Sequence, residues 1–127
     1  MKLLLPFFLL FICACTTTSI TPEISKKLSD PLICEGEKQC KVMWDRAMYF
    51  INTNAAFKIQ TVNDNMILTY NPKRYSTELA FRVIKQPLGD DKYKIITSAW
   101  CDNMFGCQPD HWSAIARAKQ YIRTGVE

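Results

Sequence analysis

The sequence predicts an α+β domain of two layers, in which a helix, a four-stranded antiparallel meander and a second helix follow one another. Apolar residues recur at helical spacing over residues 40–51 and 112–122, whereas the segment between them alternates apolar and polar residues in short runs separated by turns. Consecutive strands joined by short turns pair as neighbours, and two amphipathic helices can cover the apolar face of such a sheet. Residues 32–127 are long enough for one domain with a single core.

The first fourteen residues have the pattern of a signal peptide. Lys2 supplies a positive charge, and an uncharged, largely apolar run extends from Leu3 to Ala14. A helix that spans a bilayer needs about 20 residues, so this run is too short for a stable span. We therefore expect residues 1–14 to be removed from the mature protein.

The end of this segment, Ile12-Cys13-Ala14-Cys15, resembles the lipobox of bacterial lipoproteins, in which an aliphatic residue and two small residues precede a cysteine that is diacylated. The resemblance implies cleavage before Cys15, lipidation of Cys15 and attachment to a membrane through that lipid. Aspartate after the lipidated cysteine is the common inner-membrane retention signal of that family. Thr16 in that position therefore implies the outer membrane, facing the periplasm. The alternative is a plain secreted protein.

The number of cysteines supports the lipidated form. The chain has six cysteines, and cleavage with lipidation leaves four for pairing: Cys34, Cys40, Cys101 and Cys107. An ordinary cut after Ala14 would leave five, with one unpaired thiol in an oxidising compartment. The even remainder favours lipidation of Cys15.

Residues 15–31 are predicted to be the lipidated cysteine and a flexible tether. The segment is rich in Ser, Thr and Pro and has no sustained apolar period. The sixteen residues after Cys15 could extend to about 50 Å. The alternative is that Ile24, Lys27 and Leu28 form a short helical turn that docks on the domain.

The first long helix is predicted to begin after Gly36. Its apolar stripe follows the spacing i, i+4, i+7 and i+11 and consists of Cys40, Trp44, Ala47 and Ile51. A polar cluster at residues 52–54 is suited to end it.

Four strands are predicted to follow, joined by Asn- and Gly-containing turns. They are expected at 57–61, 66–70, 79–85 and 93–101, and the turns at 63–65 and 87–91 form hairpins. The last helix is expected to begin near Pro109, since proline is favoured in the first helical turn. Its stripe contains Trp112, Ile115 and Ile122, and Gly125 is placed to end it.

The two cysteine pairs have the same spacing, with five residues inside each loop. Cys34–Cys40 precedes the first long helix, and Cys101–Cys107 lies between the last strand and the last helix. We prefer these two local disulfides over the other pairings because Gly36 and Gly106 let each loop turn back. A four-thiolate zinc site is the functional alternative, but structural zinc prefers two to four residues between paired cysteines. No C-x-x-C redox motif occurs, and we predict no metal and no cofactor.

The loop between the second cysteine pair is the candidate partner-binding surface. It follows Trp100 and carries Asp102, Asn103, Met104 and Phe105, so two large apolar residues stand where an ordinary turn has polar ones. The alternative is that Met104 and Phe105 fold inward over the sheet.

The charge distribution and the absence of known motifs argue against several classes of function. The net charge of +4 comes from scattered basic residues, which argues against nucleic-acid binding. Phosphate-binding, dinucleotide-binding and hydrolase-elbow motifs are absent. The leading hypothesis is a non-enzymatic interaction or structural module of the cell envelope with a protein partner. One alternative is a carrier of a small molecule or glycan, and a second is a small hydrolase that uses Asp110-His111.

Overall fold

The computed structural model describes residues 20–127, which form three helices and one five-stranded antiparallel sheet. The predicted α+β class is confirmed. The elements are, in chain order, α1 (Pro22–Ser29), β1 (Ile33–Glu35), α2 (Gly36–Asn54), β2 (Ile59–Val62), β3 (Met66–Thr69), β4 (Ala80–Gly89), β5 (Lys92–Trp100) and α3 (His111–Thr124). Among the described residues, no helix combines the length and the apolar character that crossing a bilayer requires. The predicted signal peptide (1–14) and Cys15 lie outside the described residues.

The sheet has the strand order β1-β5-β4-β3-β2. Strands β2 to β5 form the expected meander, but the prediction of four strands is wrong by one. The fifth strand, β1, pairs with the other edge of β5, where Cys34 lies opposite Tyr93. A strand of three residues is too short to show an alternating pattern, so this one had no signal in the sequence.

The β4–β5 hairpin is longer than predicted. Residues 87–89, which were expected to belong to the turn, continue β4, with an irregularity in the pairing between Pro87 and Gly89. The reversal falls on Asp90 and Asp91, whose φ angles are 52° and 56°. Positive φ at both central residues is the two-residue turn whose twist matches the flanking strands.

The core lies between one face of the sheet and helices α2 and α3. On α2, the predicted stripe residues Cys40, Ala47 and Ile51 are buried, and Trp44 is half-buried at its margin. Phe50 meets Phe81 of β4 edge to face, with ring centroids 6.2 Å apart. Ring pairs in this arrangement add to the stabilisation from burial alone. Both amphipathic helices therefore cover the same apolar face, as the predicted two-layer domain requires.

Part of the predicted tether is a helix that docks on α3. Thr21 caps α1 through its side chain, and Pro22 occupies the first turn, where its missing N–H is not needed. The buried Lys119 of α3 donates from Nζ to the backbone oxygens of Leu28 and Asp30. Residues 22–29 are therefore fixed to the domain, and the short docked helix replaces the flexible segment there.

Candidate functional site

The candidate site is the disulfide-closed loop of residues 101–107, which connects β5 to α3. Three hydrogen bonds hold it against the segment before β4. Asp102 N–H donates to Ser76 O at 3.1 Å, Asn103 Nδ2 donates to Tyr75 O at 2.9 Å, and Tyr75 N–H donates to Asp102 Oδ2 at 3.2 Å. Together with the Cys101–Cys107 bond, these contacts fix the position of the loop from two sides.

The tip of this loop presents two apolar side chains to solvent. Met104 is 90 % exposed and Phe105 is 92 % exposed. Asn103 Oδ1 accepts from Phe105 N–H at 2.9 Å, and Asn103 O accepts from Gly106 N–H at 3.3 Å, so the turn closes on its own backbone. The alternative in which both side chains fold inward over the sheet is not the arrangement observed.

The five residues predicted for partner binding have different positions. Met104 and Phe105 form the tip, whereas Asp102 and Asn103 hold the loop in place through the hydrogen bonds above. Trp100 is half-buried at the end of β5, opposite Ala80 of β4. Two of the five predicted residues, Met104 and Phe105, are therefore exposed at the tip of the loop. Two more, Asp102 and Asn103, hold the loop in position.

Two further exposed or half-exposed aromatic residues lie on the segments that contact this loop: Tyr75 through its backbone hydrogen bonds, and Trp112 through a shared groove. Tyr75, with a positive φ of 62°, is 70 % exposed and carries Arg74 over its ring at 4.9 Å. Trp112, which is 39 % exposed, lines a shallow groove of about 250 Å³ together with Phe105. We call Tyr75, Met104, Phe105 and Trp112 the loop surface. Nothing in the sequence marked Tyr75, because it reaches the loop from a distant segment.

The Asp110-His111 pair forms the start of a helix. Asp110 Oδ2 accepts from Ser113 N–H at 2.9 Å and from Ser113 Oγ at 3.1 Å, which is a helix cap. His111 Nδ1 lies 3.9 Å from Asp110 Oδ1, and its ring packs on Trp112 with centroids 4.5 Å apart. The Ser113 hydroxyl thus donates to the aspartate and is not aligned with the histidine as a nucleophile and base would be.

The four cysteines of the domain form the two predicted bonds, Cys34–Cys40 and Cys101–Cys107. The expected disulfides are confirmed, and their sulfurs are not thiolates that could ligate zinc. Within residues 20–127 there is no group of three or more His, Cys, Asp or Glu residues placed to hold a metal ion.

Two larger grooves open at the surface between helices and sheet. The first, of about 300 Å³, lies where α1, α3 and β5 meet and is lined by Leu28, Ile96, Thr97 and Trp112 among others. The second, of about 600 Å³, lies beside the start of α2 and contains Trp44, Lys85 and Tyr93. Both are surface clefts between the layers. A carrier of a small molecule or glycan, the first alternative function, would be expected to have an enclosed apolar cavity instead.

Within residues 20–127, Lys119 is the ionisable group with a displaced pKa. Burial, followed by the nearby charge of Arg123, lowers the pKa of Lys119 from 10.5, while Asp30 acts in the opposite direction. This lysine lines the first groove and also holds α1. The hydrogen bonds by which Lys119 holds α1 therefore account for its burial.

Comparisons with protein-family models, curated proteins and solved structures found no match to this chain. A functional hypothesis for the protein therefore depends on its own geometry, in which Met104 and Phe105 of the loop surface are the most exposed large apolar side chains among the described residues.

Proposed function

We propose that this protein is a lipid-anchored, non-enzymatic interaction module of the bacterial cell envelope, and that it binds an envelope protein through the loop surface. The observation that carries this proposal is the exposure of Met104 and Phe105 on a loop held by a disulfide and three hydrogen bonds. Exposed apolar side chains are common singly, but two adjacent ones beside exposed aromatic residues mark a contact surface.

The energetics of such a contact favour this loop. Burying one large apolar side chain is worth about 1.5–3 kcal/mol, so Met104 and Phe105 together can supply a substantial part of a binding energy. Because the loop is already fixed, little conformational entropy is lost when a partner covers it. Aromatic residues such as Phe105, Tyr75 and Trp112 are also typical of interface centres.

The anchor is supported by the sequence and by the cysteine pairing. With Cys34, Cys40, Cys101 and Cys107 in disulfides, Cys13 and Cys15 are the remaining cysteines of the chain. A lipobox uses one of them as the acylated residue and discards the other with the signal peptide. We propose the outer membrane, facing the periplasm, as the location.

The double variant Met104→Ser with Phe105→Ser tests the loop surface. The full-length protein in its native membrane is crosslinked, purified and examined for co-purifying envelope proteins. We expect the double variant to lose a partner that the wild type captures, while its melting temperature stays within a few degrees because neither side chain belongs to the core.

The matched control is Val62→Ser with Leu88→Ser, which removes two apolar side chains that are about half exposed and lie outside the loop surface. This variant should retain the partner. Equal capture by both double variants would contradict the proposal. Unfolding of the loop variant would show that its side chains contribute to the core, and the proposed surface would then be wrong.

Lipidation is tested separately by mass spectrometry of the mature N-terminus. We expect a diacylated Cys15 as the first residue, and an unmodified residue 15 would refute the anchor. Fractionation of the envelope tests the location, and recovery with the inner membrane alone would contradict the outer-membrane assignment. Neither result depends on the loop surface.

A further inference from the structure

The groove beside the start of α2 combines aromatic faces with carboxylates. Trp44 of α2 and Tyr93 of β5 form its aromatic walls, and Lys85 of β4 lies between them. We call this cleft of about 600 Å³ the Trp44 groove. It involves none of the residues of the loop surface.

The ammonium of Lys85 rests on both rings. Its Nζ lies 5.2 Å from the centroid of Trp44 and 5.3 Å from that of Tyr93, within the range in which a ring attracts a cation. Among residues 20–127, no carboxylate lies within 4.0 Å of this nitrogen. The groove therefore already holds an ammonium group, which lies over two aromatic faces and is not in a salt bridge with a described carboxylate.

The charge of the lining is opposite to that of the whole chain. Four carboxylates line the groove (Glu37, Asp45, Asp64 and Asp91), whereas its cations are Lys41 and Lys85. Lys41 is paired with Asp45 at 2.7 Å, which leaves three carboxylates around Lys85. In a chain with a net charge of +4, this local excess of negative charge favours cationic ligands and repels anionic ones.

We propose that the Trp44 groove binds an organic ammonium group, supplied either by a free alkylamine or by a lysine side chain of a polypeptide. The ligand takes the place of the Lys85 ammonium on the two rings, and the surrounding carboxylates accept its N–H groups. Lys85 occupies the aromatic faces in the absence of ligand and competes with it. This site does not depend on the proposed function of the loop surface.

The first experiment compares three probes with the same chain and different charge: n-butylammonium, n-butanol and butyrate. Each is titrated into ¹⁵N-labelled protein at constant ionic strength, and the indole N–H signal of Trp44 is followed by NMR. We expect a saturable shift with butylammonium and none with butanol or butyrate. Failure of butylammonium to shift the signal in the wild type, or equal binding of butanol, would overturn the proposal.

Two lysine variants separate competition for the rings from a change in overall charge. Lys85→Ala and Lys41→Ala each remove one positive charge from the groove lining, but only the first vacates the aromatic faces. We expect Lys85→Ala to bind butylammonium about five-fold more tightly than the wild type, and Lys41→Ala to differ by less than about two-fold. Equal tightening in the two variants would mean that charge alone acts, and would contradict the role given to the rings.

A third variant, Tyr93→Leu, keeps an apolar side chain and removes one ring, so it should weaken binding by about five-fold. Unchanged amide spectra away from the groove show that each variant is folded. The peptide N-acetyl-glycyl-lysyl-glycine amide, whose lysine carries its one ammonium group, is then compared with its norleucine analogue, which has none, to identify the source. If the lysine peptide binds more tightly than butylammonium, the site is assigned to a polypeptide. If the lysine peptide binds equally or more weakly, the site is assigned to a free amine.

Discussion

Two threonines on the strands that flank β4 differ in their hydrogen bonding: the hydroxyl of Thr69 has partners and that of Thr97 has none. Thr69 Oγ1 accepts from Phe81 N–H at 3.0 Å and lies 3.1 Å from Tyr70 O, to which it donates. Thr97 Oγ1 is buried. Among the described residues, it is the buried side-chain nitrogen or oxygen atom that has no hydrogen-bond partner. A buried hydroxyl that lacks a partner has lost its hydration without compensation.

The substitution of each threonine by valine should therefore change stability in opposite directions. We expect Thr97→Val to raise the free energy of unfolding by about 1 kcal/mol, because valine has nearly the same shape and no polar group to desolvate. Thr69→Val should lower it by about 1–3 kcal/mol, because Phe81 N–H loses its acceptor. Urea denaturation of the two variants measures both changes, and a loss of stability in Thr97→Val would show that its hydroxyl has a partner.

Lys119 gives a prediction that depends on pH. Burial lowers the pKa of Lys119 below its unfolded value of 10.5, so the unfolded chain binds this proton more strongly than the folded chain does. Its contribution to stability should therefore increase as pH rises from the folded pKa toward 10.5. Wild-type protein should gain stability relative to Lys119→Met between pH 7 and pH 10 in urea denaturation. A constant difference between the two proteins would contradict the lowered pKa.

The same variant should also loosen the attachment of α1. Lys119→Met removes the donor that holds Leu28 O and Asp30 O. Hydrogen exchange of the amides of residues 24–29 should become faster, while the amides of β4 keep their protection. Unchanged exchange in α1 would mean that other contacts suffice to hold it.

At the scale of elements, the two disulfides close loops of equal length in different surroundings. Each joins cysteines six positions apart, so removing either bond raises the conformational entropy of the unfolded chain by a similar amount and should cost about 2–3 kcal/mol of stability. Cys34 and Cys40 are 0 % and 4 % exposed and belong to the core, whereas Cys101 and Cys107 are half-buried. The first bond therefore adds the larger packing contribution, because Cys101 and Cys107 pack only at the margin of the core.

We expect Cys34→Ala with Cys40→Ala to destabilise the protein more than Cys101→Ala with Cys107→Ala. The difference should be of the order of 1–3 kcal/mol, because removing the two buried sulfurs leaves a small cavity among apolar neighbours. Chemical denaturation of the two double variants measures it. Equal destabilisation would show that loop closure alone accounts for both bonds.

The sequence predicted long elements better than short ones, for a physical reason. Helices α2 and α3 bury one continuous side, which leaves a 3.6-residue period that can be read directly. Strand β1 is fixed by pairing with β5 and by the buried Cys34, and neither constraint leaves a pattern in three residues. Helix α1 depends on Lys119, which is about 90 positions away in the chain.

The loop surface and the Trp44 groove also differ in how far the sequence could predict them. Met104 and Phe105 were predictable because apolar residues in a short loop are conspicuous without any knowledge of the fold. Tyr75 joins them through hydrogen bonds between its own backbone groups and the side chains of Asp102 and Asn103. The Trp44 groove is assembled from α2, β4 and β5, so its composition became visible only when the sheet was paired.

For the whole molecule, the loop surface and the Trp44 groove are two proposed binding regions that share no residue. If both proposals hold, a partner that buries only Met104 and Phe105 would leave Trp44, Lys85 and Tyr93 available to an amine. Variants of one region should therefore leave the other unaffected, and their effects on the two kinds of binding should be independent. Coupling between them would require a conformational change that links the loop to α2.

The docking of α1 also limits how far the domain can stand from a membrane. If Cys15 is lipidated, only residues 16–21 separate the acyl chains from the first helix, and six residues span about 20 Å at most. A domain of this size has a radius of gyration of about 13 Å, which corresponds to a diameter of about 34 Å, so the permitted gap is smaller than the domain itself. The protein would then work within its own width of the lipid headgroups, and its partner would have to be membrane-bound or to approach that closely.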